Sequence, residues 1–161
     1  MTIALPALER SGESQERALR VPTPAEVQGL ARTGLVLLVE DVEAAERVLR
    51  AALTRAGFNV VSAAGFAEAQ SVVAQFGDEI DVIVADVGLP DGRGDALVFE
   101  LRGVLPHARA VLMSGYDVPL RAVGAASGIG MLHKPFRPSE LVAVVARLAA
   151  EAQAARDGAR S

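Results

Sequence analysis

Five short apolar runs, spaced at regular intervals, set the strongest limit on how this chain can fold. They are LVLLV (35–39), FNVVSA (58–63), IDVIVA (80–85), ARAVLM (108–113) and GIGMLH (128–133). Each is too short for a helix and most are rich in β-branched residues, the signature of buried strands. Longer segments with helical spacing lie between them. VEAAERVLRAALTRAG places Val42, Ala45, Val48, Leu49 and Leu53 on one face and stops at Gly57. PSELVAVVARLAAEAQAARDG gathers Leu141, Val144, Val145 and Leu148, with Pro138 opening it and Gly158 closing it. Five strand–helix repeats imply a parallel sheet covered on both faces, because strands buried on both sides need not alternate apolar with polar. In such open sheets ligands bind beyond the carboxyl ends of the strands, so function is to be sought there.

The 161 residues, 51% of them hydrophobic, suit one domain with tails. Residues 1–33 read as a flexible arm or linker: ERSGESQERALRVPTP is polar and broken by Pro22 and Pro24. Within the arm, TPAEVQGLAR has the signals of a short helix, with Thr23 as cap, Pro24 at the first position and Glu26 closing a capping box. The domain proper is read as 34–150 and the Ala-rich remainder, 151–161, as an extension of the last helix with a tail. Fourteen residues after Arg147 are too few for an attached effector domain. A net charge of −4 gives no electrostatic footprint for nucleic acid. No window has the apolar length of a membrane span, no signal peptide is legible, and the absence of cysteine rules out disulfides and thiolate metal sites. The expected location is cytoplasmic.

The strand ends carry Glu40 and Asp41 after the first run, Asp86 after the third, Ser114 after the fourth and Lys134 after the fifth. Loops are polar in general, and one such residue would mean little. Three carboxylates converging on one crevice, however, raise one another's pKa unless a cation or Lys134 neutralises them. Oxygen donors without His or Cys favour a hard divalent ion such as Mg2+, and Mg2+ points to phosphate chemistry. A carboxylate beside Mg2+ and a lysine can attack a phosphoryl group to form an aspartyl phosphate, with Ser114 hydrogen-bonding one of its oxygens.

These residues, in VLLVED, IVADVGLPDG, VLMSGY and HKPF, resemble the receiver domain of a two-component response regulator over roughly residues 35–150. The resemblance implies a flavodoxin-like, doubly wound (βα)5 fold with a five-stranded parallel sheet in the order 2-1-3-4-5. It implies that Asp86 is the phosphoacceptor, Asp41 a direct Mg2+ ligand, Glu40 a ligand through water or a positioning acid, and the Gly88 carbonyl a backbone ligand. A sensor histidine kinase or histidine phosphotransfer protein would donate the phosphoryl group. The output would be a conformational switch read by a downstream protein or a second copy of the chain, with no more catalysis than self-phosphorylation and autodephosphorylation. Lys134 would precede a cis bond to Pro135, and Phe136 would pack beneath the last helix. TIALPALE followed by a Pro-containing linker resembles the end of a kinase ATP-binding domain, and SGY is familiar from hybrid kinases, so the chain also resembles the receiver portion of one.

Several positions depart from that pattern. Met131 stands where receivers usually carry a switching aromatic, and Tyr116 is the alternative cover for the site. The fourth crossover, DVPLRAVGAASG, contains Pro119, Gly124 and Gly128 and is a weak helix, so ordering of residues 115–128 is the expected switch. His133 is read as turned to the other face from Lys134, His107 as a solvated turn residue, and Gly92 and Gly94 as a loop before the third helix. Arg93 would face a phosphoryl donor. Two other functions remain open. A Mg2+-dependent aspartyl phosphatase of the haloacid dehalogenase type would place its nucleophile after the first strand with an aspartate two residues on, whereas position 88 is glycine. A receiver-like scaffold that is never phosphorylated would lack Mg2+ binding.

Overall fold

The structure, a computed structural model, describes residues 34–115 and 128–160. The arm, the short helix read at 23–32, Tyr116 and most of the fourth crossover lie outside these. Five strands, β1 (Leu35–Val39), β2 (Asn59–Ala63), β3 (Ile80–Asp86), β4 (Arg109–Ser114) and β5 (Ile129–His133), form one parallel sheet in the order β2-β1-β3-β4-β5. This is the doubly wound order that the family resemblance implied. The α-helices among the described residues are α1 (Glu43–Arg55), α2 (Phe66–Phe76), α3 (Gly94–Val104) and α4 (Pro138–Arg160). A short hairpin, Gly88–Leu89 against Gly92–Arg93, follows β3.

The near-continuous apolar strands serve two cores, one on each face of the sheet, because alternate residues point to opposite sides. Leu37, Val39, Ile83, Ala85 and Leu112 pack with Ala69 and Val73 of α2 and Leu97 and Leu101 of α3. Val36, Leu38, Val82, Val84, Val111 and Met113 pack with Leu49 and Leu53 of α1 and Leu141, Val145 and Leu148 of α4. Phe136 is half-buried against this second core, and Met131 is half-buried against the first. All seven residues of β3 are buried, which makes it the most completely buried strand of the sheet.

Two residues of the expected α1 stripe face solvent. Val42 and Val48 are each 54% exposed. Val42 is the extended residue before the helix (φ −85°, ψ 110°), so helical spacing does not reach it. Val48 sits about 100° round the helix from Leu49, which with Leu53 centres the buried stripe.

A polar cluster sits at the amino end of the sheet, opposite the strand ends that carry the acids. Asp81 is buried inside β3, where its Oδ2 accepts the Leu35 N–H at 2.9 Å and its Oδ1 accepts Gln153 Nε2 and Arg156 Nη2, each at 3.1 Å. Arg156 also donates to the carbonyls of Asp78 and Ile80. Gly34 is required beside this cluster: it has φ +100°, and a Cβ there would come within 2.5 Å of Asp81 Oδ2. The packing of α4 therefore continues through the fully buried Ala152 to Arg156.

Candidate functional site

The carboxyl end of the sheet collects the acids. β3 ends at Asp86, which is buried at 8% exposure yet opens onto a cleft of about 760 Å³. Its two oxygens have separate partners: Oδ1 accepts the Gly88 N–H at 2.9 Å, and Oδ2 accepts Lys134 Nζ at 2.7 Å. The chain must turn sharply after Asp86 to hold this arrangement. The Gly94 N–H bonds the Val87 carbonyl at 2.8 Å, and a Cβ at Gly94 would lie 2.0 Å from the Asp86 carbonyl oxygen. A glycine that reads as loop in the sequence is thus a contact residue of the site's backbone.

Glu40 and Asp41 follow β1. Glu40 is 3% exposed; its Oε2 accepts the Val42 N–H at 3.2 Å, while its buried Oε1 has no hydrogen-bond partner among the described residues. Asp41 is exposed. Glu40, Asp41 and Asp86 each place an oxygen within 4.8 Å of the others. Burial raises the Glu40 carboxyl above its ordinary pKa; Asp86 and Asp41 add to the rise, against the Val42 N–H and Lys134. Burial works against the Lys134 charge, but the hydrogen bond and charge of Asp86, with Glu40 and Asp41, lift the ammonium above its ordinary value. Three close carboxylates, all-oxygen donors and an orphaned buried oxygen fit a hard dication such as Mg2+.

Ser114, the last residue of β4, is 1% exposed and lines the same cleft. Its carbonyl accepts the Lys134 N–H at 2.8 Å, tying the ends of β4 and β5 together. The Lys134–Pro135 bond is cis, as expected. All five side chains named at the strand ends, with Gly88, therefore meet at one end of the sheet. His133 is exposed. His107 is not simply solvated: it is half-buried, and its Nε2 lies 3.1 Å from the Asp78 carbonyl.

Two acids near the site escaped the sequence reading. Asp91 accepts the N–H groups of Phe66 at 2.7 Å and Ala67 at 3.1 Å, and these hold its carboxyl below the usual range. It caps α2, whose own N-cap is Gly65 and offers no side chain. A helix opening on glycine was the available signal that the cap comes from elsewhere. Asp95, buried at the start of α3, holds Arg93.

Comparison with known proteins agrees with this geometry. Residues 36–146 match the family described as response regulator receiver domain. The chain is 33% identical over 147 residues to the sensor kinase CckA of Brucella abortus, covering 89% of this chain and 16% of that one. It is 33% identical over 114 residues to the DNA-binding transcriptional regulator NtrC of Azospirillum brasilense, covering 70% of this chain and 23% of that one. It thus spans about a quarter or less of these two relatives. The solved receiver domain from hybrid histidine kinase CckA superposes with a TM-score of 0.63 at 29% identity, over 72% of this chain and 99% of that one.

Proposed function

The chain belongs to the response regulator receiver domain family of two-component systems, and from that premise we propose that Asp86 takes up the phosphoryl group. The observation that carries the reading is the strand-end carboxylate itself: buried, gripped by Gly88 on one oxygen and Lys134 on the other, and open to a cleft.

Each residue's part follows from its chemistry. Asp86 is the nucleophile, mounted on the most buried strand, so its attack angle varies little. The Gly88 N–H orients one oxygen and leaves the other for attack. Lys134 starts on Asp86 and moves to a phosphoryl oxygen as negative charge passes there. The Ser114 hydroxyl donates to another phosphoryl oxygen. Glu40, Asp41, Asp86 and the Gly88 carbonyl would hold Mg2+. Bound there, the ion supplies Lewis-acid neutralisation of the phosphoryl oxygens.

The donor in this reading is a phosphorylated histidine on a sensor kinase or a histidine phosphotransfer protein, in the cytoplasm, and turnover is limited to self-catalysed transfer and hydrolysis. Residues 1–33 then act as an arm ahead of the receiver domain, 34–150, and 151–161 as an extension of the last helix with a tail. One observation favours placing the unit within a hybrid kinase: the CckA match covers 89% of the chain, more than the 36–146 of the receiver match, so likeness extends beyond the receiver itself. The chain is treated with phosphoramidate and Mg2+ and its intact mass is measured. One added phosphoryl group is expected on the wild type and none on Asp86→Asn. Equal labelling of both would refute the assignment.

A further inference from the structure

Arg93 occupies a position that its chemistry does not suit. It is the N-cap residue of α3, extended at φ −86° and ψ 135°, and makes no capping hydrogen bond. Helices favour Ser, Thr, Asp or Asn there, and a cation faces the positive end of the helix dipole. The side chain is nevertheless held in place: Nε donates to Asp95 Oδ1 at 2.9 Å and Nη2 to Oδ2 at 3.1 Å, a two-point grip. Asp95 is 3% exposed, and although burial opposes its charge, the Arg93 guanidinium keeps its carboxyl below the ordinary range. The Arg93 side chain stays 52% exposed and forms part of the cleft wall together with Asp86, Ser114 and Lys134. Its Nη1 makes no hydrogen bond to a described residue. Neither capping nor core packing accounts for a guanidinium fixed at the rim of this cleft.

We propose that Arg93 is a donor-recognition residue, which binds the anionic phosphoryl group while it is still attached to the donor's nitrogen and draws it towards Asp86. The inference rests on Asp86 being the acceptor. A planar guanidinium suits phosphate oxygens, and a cleft of about 760 Å³ is in the size range that admits a ring-sized group as well as the phosphoryl. In the step itself, an Asp86 carboxylate oxygen forms the new P–O bond as the donor's P–N bond breaks. With phosphoramidate, protonated on nitrogen, the nitrogen keeps the electron pair and leaves as ammonia. Arg93 acts before and during P–N cleavage, whereas Lys134 and Ser114 hold the product.

The test is the rate of Asp86 phosphorylation against phosphoramidate concentration, with Mg2+, in wild type, Arg93→Lys, Arg93→Gln and the double variant Arg93→Gln/Asp95→Asn. Removing the charge should raise the half-saturating concentration roughly three- to tenfold with little change in maximal rate, as loss of one solvent-screened, charge-assisted contact to the donor should. Arg93→Lys should recover part of the loss, and high salt should shrink the difference. The double variant relieves Asp95 of its unpaired charge, so it controls for a fold disturbed by the single change. If it stays impaired, Arg93 acts on the donor; if it recovers wild-type kinetics, Arg93 only neutralises Asp95 and the inference fails. Unchanged half-saturation in Arg93→Gln also overturns it while leaving Asp86 as acceptor. An unlabelled wild type would overturn the acceptor reading and this inference together.

Discussion

At the scale of single residues the site depends as much on what is missing as on what is present. Gly94 carries no side chain because the Asp86 carbonyl occupies that space: a Cβ would sit 2.0 Å from the oxygen, and backbone cannot yield as a flexible side chain can. Gly94→Ala is therefore expected to displace Asp86, costing about 1–3 kcal/mol in stability, as overpacking typically does, and slowing phosphorylation more than any exposed substitution on α3. Urea unfolding paired with phosphorylation rates checks this; wild-type values in both would mean that the turn relaxes freely. The acids at the strand ends were legible because ionisable residues directly after apolar runs stand out. Gly94 was not, since a glycine that makes room for backbone looks the same in sequence as one that merely loosens a loop. Asp91 was hidden for a related reason: PDG reads as a turn, and the helix start that it caps lies 25 residues earlier.

Among the elements, the strands were the easiest to read and the last helix the hardest. Short apolar runs fixed by burial on both faces leave little freedom, and the observed strands fall within a residue of those runs. α4 reads past Ala150 as an Ala-rich extension with no stated contact, yet Gln153 and Arg156 reach back to Asp81. Nothing local reports that contact, because Asp81 looks like a strand-edge acid and Arg156 like a tail charge, and the two are 75 residues apart. Arg156→Ala would leave Asp81 buried without its cation, and stability should fall by about 3 kcal/mol, the order for breaking a buried pair. Adding Asp81→Asn should restore part of it. Phosphorylation of Asp86 should proceed normally, since Asp81 lies five residues, roughly 16 Å, down the same strand. A loss in chemical denaturation below about 0.5 kcal/mol, the range of an exposed pair, would show that water reaches Asp81.

For the whole molecule, the sheet separates two poles with different work. The amino end is closed by the Asp81–Arg156 cluster, while the carboxyl end gathers Glu40 and Asp41 beside Asp86, which with Ser114 and Lys134 lines an open cleft. No helix among the described residues is long and apolar enough to cross a membrane. A phosphoryl group would add about −1.5 to −2 charges beside existing carboxylates, so Lys134 and Ser114 must respond, and the Lys134 N–H to Ser114 carbonyl bond couples the ends of β4 and β5 in doing so. Everything here turns on where the phosphoryl group forms. Borohydride reduces an acyl phosphate but not a free carboxylate, so treating the phosphoramidate-labelled, Mg2+-containing protein with borohydride and sequencing its peptides by mass spectrometry locates the modified residue directly. Homoserine at position 86 and at no other aspartate is the predicted result; conversion at Asp41 or elsewhere with Asp86 intact would contradict it.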